Sequence, residues 1–516
     1  MSRSSASWRL AMIVGAAVAL SPAISVADWN TGVGANAART SLAPNLGPLE
    51  RELLWQGSSP SLVAQQAVAA GDLLVVNRIR SFTIPTGDSI VAHSLATGRR
   101  LWGVSLPFAS GDEWRSRATA IRDGHVYAPR SGGDQNPAYL YALEPSDGSI
   151  IWRSVDRIQE STTESAAFAE DGDLIIGNWN ELLRIDKDDG RTVWRAARST
   201  PTTDGCSAAV FGDRAYIWEP SASGPKVTAF NITTGTRLYS SAPIGGGYIQ
   251  QVGLMVGPDG TIYAPRTQNN PVTDYFVALE DTGTALVERW RYPMGYTPFA
   301  SFGVGPDGTV YTYSRAGEVV RLDPESGEVL DTSPPITIDF PFMPRIGIDS
   351  AGKVYLTNGG FSHGTLYAFN PDLTLRWTDS VPSVNLGGPV IGQQDILVVC
   401  GTGTDVRAYW TSNADVVDRM PGLHDPVLMQ NFPNPFYPAT EIGLRLTQAS
   451  VITLCVFDAG GRRVRTLIPA ESRPAGDYRI VWDGRDDRAD PMPSGLYFYR
   501  LVAGGEIRTR RMLLAR

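Results

Sequence analysis

The residue types that most often carry chemistry are thinly spread in this chain. It has four histidines, His93, His125, His363 and His424, and three cysteines, Cys206, Cys400 and Cys455. No histidine stands at ligand spacing from another. The cysteines are odd in number, far apart and form no C-x-x-C. Zinc, haem and disulfide frameworks need close, usually paired spacing. Cysteines placed like these read as small buried apolar side chains. Asp186-Lys-Asp-Asp189-Gly190 opens like a calcium loop, but no Glu stands at its twelfth position, and its glycine falls at a turn that recurs along the chain. The acid-rich run from Asp483 to Asp490 also reads as a turn. No Gly-rich phosphate loop, G-x-S-x-G or H-E-x-x-H is present.

Arginine and tryptophan remain. Arg78, Arg80, Arg130, Arg266 and Arg315, with Trp179 and Trp218, follow apolar runs at corresponding places. Trp114, Arg115 and Arg117 precede another such run. Arginines gathered on one rim would hold carboxylate, sulfate or phosphate groups bidentately. Exposed indoles would give a sugar or peptide a stacking surface. The other reading is solvated arginine on scattered loops with tryptophan packed beneath them.

A repeat must position these residues. Leu143-Glu-Pro-Ser-Asp-Gly148-Ser-Ile-Ile-Trp152 states it most plainly: an apolar strand, a tight glycine turn, then a large aromatic. Copies run from Leu95 through Gly98 to Trp102, Ile185 through Gly190 to Trp194, and Phe230 through Gly235 to Tyr239. Others run from Leu279 through Gly283 to Trp290, from Leu322 through Gly327 to Leu330, and, without glycine, from Phe369 to Trp377. The period of about 45 is that of a propeller or solenoid. Upstream of each copy lies a hairpin signal on Asp-Gly or Gly-Asp, at Ala67–Val76, Ala118–Ala128, Ala167–Ile176, Ala208–Ile217, Met255–Ala264, Phe302–Thr312, Ile346–Leu356 and Val390–Val399. Each unit is therefore four short strands, a to d, and four-stranded units repeated radially are propeller blades. The b–c and d–a loops share one face, which is where the arginines and tryptophans above fall.

There are eight a–b hairpins but seven complete c–d parts. The eighth unit keeps strand c at Val406-Arg-Ala-Tyr409 and lacks d. An orphan Leu53-Leu54-Trp55 near the start supplies it, so the ring closes by pairing an N-terminal strand into the last blade. The fold class is all-β: a propeller of eight blades, or of seven if the sixth unit is degenerate, followed by a small Ig-like sandwich. In the sandwich, alternating runs at Glu441–Leu446, Val451–Asp458, Val464–Leu467, Gly476–Trp482, Gly495–Val502 and Thr509–Leu514 are strands.

The chain has 516 residues, 53 Gly, 36 Pro and 19% charged residues, a composition that suits turn-rich β structure. A net charge of −8 gives no general pull toward nucleic acid or anionic membrane. Arg3 and Arg9 precede an apolar stretch, Leu10–Leu20, with Ser25-Val26-Ala27 as an A-x-A-like cleavage site. This reads as a signal peptide, and no later segment is long and apolar enough to cross a bilayer. The expected boundaries are 1–27 signal peptide, 28–50 irregular segment, 51–418 propeller, 419–426 linker and 427–516 sandwich.

The Ala/Leu-x-x-x-Thr-Gly-x-x-x-Trp sentence resembles the pyrroloquinoline-quinone (PQQ) type propeller repeat over roughly residues 53–415. That family holds quinoprotein alcohol dehydrogenases and non-catalytic propellers such as the outer-membrane assembly lipoprotein BamB. Asn431-Phe-Pro-Asn-Pro-Phe436, Val456-Phe-Asp-Ala-Gly460, Val481-Trp-Asp-Gly484 and Ser494-Gly-Leu-Tyr-Phe-Tyr-Arg500 resemble the FlgD-type Ig-like domain and, close to it in pattern, the type A sorting domain of type IX secretion. The quinoprotein resemblance would imply PQQ held by calcium, an Asp base, metal-binding Glu and Asn, and commonly an adjacent Cys pair. This chain has no such pair and no matching acid and amide placement, so no cofactor, metal or catalytic residue is expected. The expectation is an exported, non-enzymatic binding or scaffold propeller, extracellular or on the outer cell surface, with the periplasm as the alternative. Its partners would be a protein or glycan at the loop face, and secretion or anchoring machinery at 427–516. The alternatives are a PQQ oxidoreductase, a carbohydrate-active propeller, and a BamB-like assembly scaffold, against which the absence of a lipobox cysteine counts.

Overall fold

The computed structural model describes Trp29 and residues 33–58, 62–63, 67–79, 90–106, 113–116, 120–132, 139–158, 166–201, 207–245, 253–266, 274–297, 300–337, 343–360, 363–382, 384, 387–401, 405–411, 427–428, 431, 434, 436–446, 449–474, 476–503 and 506–515. Among them each repeat folds as an antiparallel sheet of four strands, joined by a fifth in blades 1 and 2, and there are eight such sheets before residue 412.

Strands a run, blade by blade, Val68–Ala70, Ala120–Arg122, Ala167–Phe168, Ala209–Phe211, Met255–Val256, Gly303–Val304, Arg345–Ile348 and Gly388–Ile391. Each a strand whose neighbours pack closely adjoins the a strand of the next blade, and that of blade 1 meets those of both blade 2 and blade 8. The a strands therefore form the inner wall of a closed ring. Strands b and c lie mostly buried on both faces, as in Leu174–Gly177 and Leu140–Leu143, and so read as continuous apolar runs. Strands d form the rim, where Ile150–Arg153 exposes all but Trp152.

The eighth blade is completed from the chain's beginning. Its order is Glu52–Ser58, Asp405–Trp410, Leu397–Cys400, Gly388–Ile391, with Glu52 opposite Trp410 and Gln56 opposite Arg407. The sixth unit, despite Leu330 in the aromatic position, is a full blade: Gly303–Val304, Val310–Tyr313, Val319–Leu322 and Val329–Thr332. The count is eight, not seven. Two strands the repeat pattern does not signal, Leu62–Val63 and Glu113–Ser116, pair with strand b of blades 1 and 2.

The recurring aromatic and the recurring glycine belong to one device. Trp102, in strand d of blade 1, lies on Gly148 in the c–d turn of blade 2, and a Cβ there would stand 2.6 Å from the indole. The indole Nε1 donates to the carbonyl of Pro145 at 2.7 Å. Trp152 does the same on Gly190 and Lys187 O (2.9 Å), Trp194 on Gly235 and Ile232 O (2.9 Å), and Trp290 on Gly327 and Pro324 O (2.9 Å). Trp55, from the N-terminal strand, lies on Gly98 and donates to Leu95 O at 2.8 Å, so the closing seam uses the same contact. The turn needs a left-handed residue, as at Gly98 with φ 66° and Gly327 with φ 72°, and the indole forbids any side chain. At the seam into blade 8 the c–d turn is absent, and Trp377 instead donates to Leu49 O at 3.1 Å.

The C-terminal part is a two-sheet sandwich. One sheet pairs Val427–Leu428, Thr440–Leu446 and Gly476–Trp482. The other orders Arg463–Arg473, Ser450–Asp458, Gly495–Ala503 and Glu506–Leu514. Its core includes Ile442, Leu454, Val456, Trp482, Tyr499 and Leu501. Tyr499 Oη accepts from Asn431 N at 2.8 Å, anchoring the segment that enters the domain.

The seams make a paired test. Gly283 and Gly327 occupy equivalent turns with φ of 83° and 72°, but nothing lies within 4 Å of a Cβ at Gly283. Gly283→Ala should cost about 1–2 kcal/mol, the left-handed penalty alone. Gly327→Ala should cost at least about 1–3 kcal/mol more, because the Trp290 indole must move. Denaturant unfolding midpoints of the two variants measure the difference.

Candidate functional site

The loop-face residues singled out from the sequence divide into three groups. Arg80 and Arg117 lie outside the described residues. Arg78, Arg130 and Trp114 are placed by backbone alone, in strand b of blades 1 and 2 and in Glu113–Ser116. Trp179 is partly buried in the b–c turn of blade 3, and Arg315 is exposed in that of blade 6. Trp218, the penultimate residue of strand b of blade 4, and Arg266, the last of strand b of blade 5, have their side chains turned inward, both at 0% exposure. Arg266 faces Asp274, with Nη1 3.8 Å from Oδ1. Trp218 therefore offers no stacking face. Neighbouring charges go inward with them. Arg198 is buried and donates from Nη1 to Asn178 O at 2.9 Å. Glu219, fully buried, accepts from Thr228 Oγ1 (2.7 Å), Ser199 N (3.0 Å) and the Arg237 guanidinium. Burial alone would raise its pKa, but the bonds from Arg237 and Thr228 outweigh that and hold it low.

The inner wall is occupied by the chain itself, where the sequence suggests only an irregular polar segment. Trp29 exchanges both backbone hydrogen bonds with Ala69 of blade 1, each 3.0 Å. The carbonyls of Ala37, Ala38, Thr40 and Ser41 then accept, in order, from Val210 N, Val256 N and Val304 N (2.9 Å each) and Ile348 N (2.8 Å), on strands a of blades 4 to 7. The segment steps between blades by left-handed residues, Ala35 (φ 65°), Arg39 (φ 62°) and Ser41 (φ 56°). Such residues cost of order 1–3 kcal/mol each and persist only where the surroundings hold them. Asn36 does part of this, donating from Nδ2 to Thr40 Oγ1 (2.7 Å) and Leu42 O (3.2 Å). Trp29 is fully buried, its indole 3.2 Å from where a Cβ on Gly347 would stand.

Two hollows open on the a–b turn side. One, of about 560 Å³, is apolar, with Ala37, Ala38 and Leu42 of the inner segment facing Phe168, Val210, Val256 and Val304. The other, of about 350 Å³, lies at the seam of blades 4 and 5, where Tyr239 replaces the usual tryptophan. Phe211 borders both. At that seam Tyr239 Oη and Tyr216 Oη each donate to Asp281 at 2.7 Å, Gly283 N donates to it at 2.8 Å, and Arg214 Nη1 stands 3.5 Å away. Burial would raise the Asp281 pKa, but the two phenols, the Gly283 amide and Arg214 hold it low. Burial first, and then the bond to Asp281, pushes Tyr239 up to about 12. The sequence signal for this site was the tyrosine standing in a column of tryptophans.

Among the described residues no group of three or more His, Cys, Asp or Glu could hold a metal ion, and the inner strand edges of five blades are taken by Trp29 and residues 37–41. No helix among them is long and apolar enough to cross a membrane.

A ring of four-stranded sheets whose first strands line its axis is a β-propeller. Residues 86–333 match the family model described as outer membrane protein assembly factor BamB, and residues 438–506 match the FlgD Ig-like domain. The chain thus carries a BamB-type, PQQ-like repeat propeller followed by an FlgD Ig-like domain. Among solved structures it is similar to the computationally designed Ika8 protein, with 13% identity, TM-score 0.52, and 70% of this chain and 100% of that one covered. It is also similar to BamB from Moraxella catarrhalis (15% identity, TM-score 0.39, 66% and 82% covered). A third is PorZ, an essential bacterial surface component of the type IX secretion system of Porphyromonas gingivalis (13%, 0.41, 90% and 71%). No curated protein matches the chain.

The polar seam has a pH signature. A tyrosine whose folded pKa is raised stabilises the fold fully below its unfolded value of about 10 and loses that contribution as pH climbs toward the folded value. For Tyr239 the window is therefore pH 10 to about 12. Tyr239→Phe should flatten the fall in unfolding midpoint between neutral pH and the alkaline end of that window, measured by denaturant titration against the unsubstituted protein.

Proposed function

We propose that the protein is exported and works outside the cytoplasm, at the cell surface or in the medium, as a non-enzymatic binding scaffold whose residues 427–516 serve sorting or anchoring. The observation that carries this reading is the order of parts: an export-signal pattern over 1–27, a BamB-type repeat ring, then an FlgD Ig-like domain. The BamB description attached to the repeat supports a scaffold role. A ring whose blades are locked edge to edge also holds its loops on rigid supports, the arrangement in which loops carry binding. In this reading the propeller spans 51–418, a linker spans 419–426, and the loop face holds a protein or glycan ligand. Trp179 and Arg315 are its solvent-accessible members among the described side chains, and the sequence pattern proposes Arg78, Arg80, Trp114, Arg117 and Arg130 as further members.

Comparing the location of the full-length chain with one ending at Arg419 tests the assignment. The full chain should be found at the surface or in the medium, and the truncated one should stay within the envelope. Truncated protein at the surface would refute the sorting role, and full-length protein retained in the periplasm would point to envelope assembly instead.

A further inference from the structure

The hollow between blades 4 and 5 has the makeup of a ligand site, on the side of the ring opposite the loop face. We propose that it binds a neutral saccharide, one or two pyranose units in size. Its volume of about 350 Å³ is at the lower end of small-molecule sites. The two guanidiniums that line it, Arg214 and Arg289, are already matched. Arg214 stands 3.5 Å from Asp281 and 3.8 Å from Asp213, and Arg289 stands 3.8 Å from Asp259 and pairs with Glu325. An anionic ligand would have to break one of these pairs. A polyhydroxyl ligand need not, because each hydroxyl both donates and accepts and can bridge a guanidinium to a carboxylate.

Two further features point the same way. Glu280 is exposed at the hollow, its carboxylate engaged in no ion pair, and supplies an acceptor. Phe211 presents its ring at 38% exposure, a large apolar surface on an a–b turn, against which the C–H face of a pyranose can lie. At five other seams an indole lies on the turn glycine, within 2.7 Å of a Cβ there. At this seam the place above Gly283 holds nothing within 4 Å. Tyr239, in the place of the tryptophan, instead donates to Asp281, one of the residues that line the hollow.

Saturation-transfer NMR on the full chain tests the site, with glucose, galactose, mannose, N-acetylglucosamine, maltose and cellobiose as neutral probes and lysine, glutamate and inorganic phosphate as charged ones. At least one neutral saccharide should receive saturation. Phe211→Ala and Glu280→Ala should each weaken it about tenfold, the effect of losing one stacking or charge-assisted contact. Both positions are exposed, so unchanged unfolding midpoints should accompany the loss. No transfer to any neutral saccharide, transfer undiminished in both variants, or binding confined to a charged probe would each overturn the assignment. The result is independent of where the chain is located.

Discussion

An indole lying flat on a backbone turn holds this ring together. The turn has no side chain because the indole occupies that space, and the indole Nε1 is satisfied by a carbonyl of the same turn. Burying an aromatic side chain removes roughly 150–250 Å² from water, a gross gain of about 4–6 kcal/mol before entropy. Five seams repeat this contact, so much of the cohesion between blades comes from one interaction used five times. The contact also sets spacing: a blade must present its c–d turn at the height of its neighbour's strand d. That is why the sequence keeps a period.

The N-terminal stretch answers two problems of a ring. Strand d of the last blade comes from Glu52–Ser58, which places Trp55 on Gly98 and removes the open edge that a linear array would leave. The residues before it run along the inner strands and satisfy amide groups that would otherwise face the axis. The same stretch is therefore a rim strand at one end and a lining at the other, with Tyr355 Oη donating to Pro48 O at 2.8 Å between them.

The fold was legible because its signals recur. Eight hairpins, the glycine–aromatic spacing and the orphan Trp55 together specify blades and closure, and no single copy could have done so. The lining segment was not legible. Gly34-Ala-Asn-Ala-Ala-Arg-Thr-Ser41 has no apolar period, and its order comes from backbone bonds to strands far along the chain. The loop-face side chains were not legible in direction, and Arg78, Arg130, Trp218 and Arg266 fall within b strands rather than in loops. Trp218 and Arg266 stand near the ends of inner strands, where one more residue of strand turns a side chain from solvent to core. The polar seam was visible in part, since Tyr239 breaks the tryptophan column. That Tyr216, Arg214 and Asp281 meet there depends on neighbouring blades, and one repeat does not specify it.

Each functional proposal depends on a closed ring, because loops and seams hold their geometry only while blades stay locked. The most direct test is hydrogen exchange on Trp55→Ala, read by mass spectrometry along the chain. Loss of the indole should speed exchange on both sides of the closing seam, in residues 388–410 and 68–104, with protection falling away from there around the ring. Protection unchanged in both segments would mean that the closing strand and its indole do not hold the ring, and the account would be wrong.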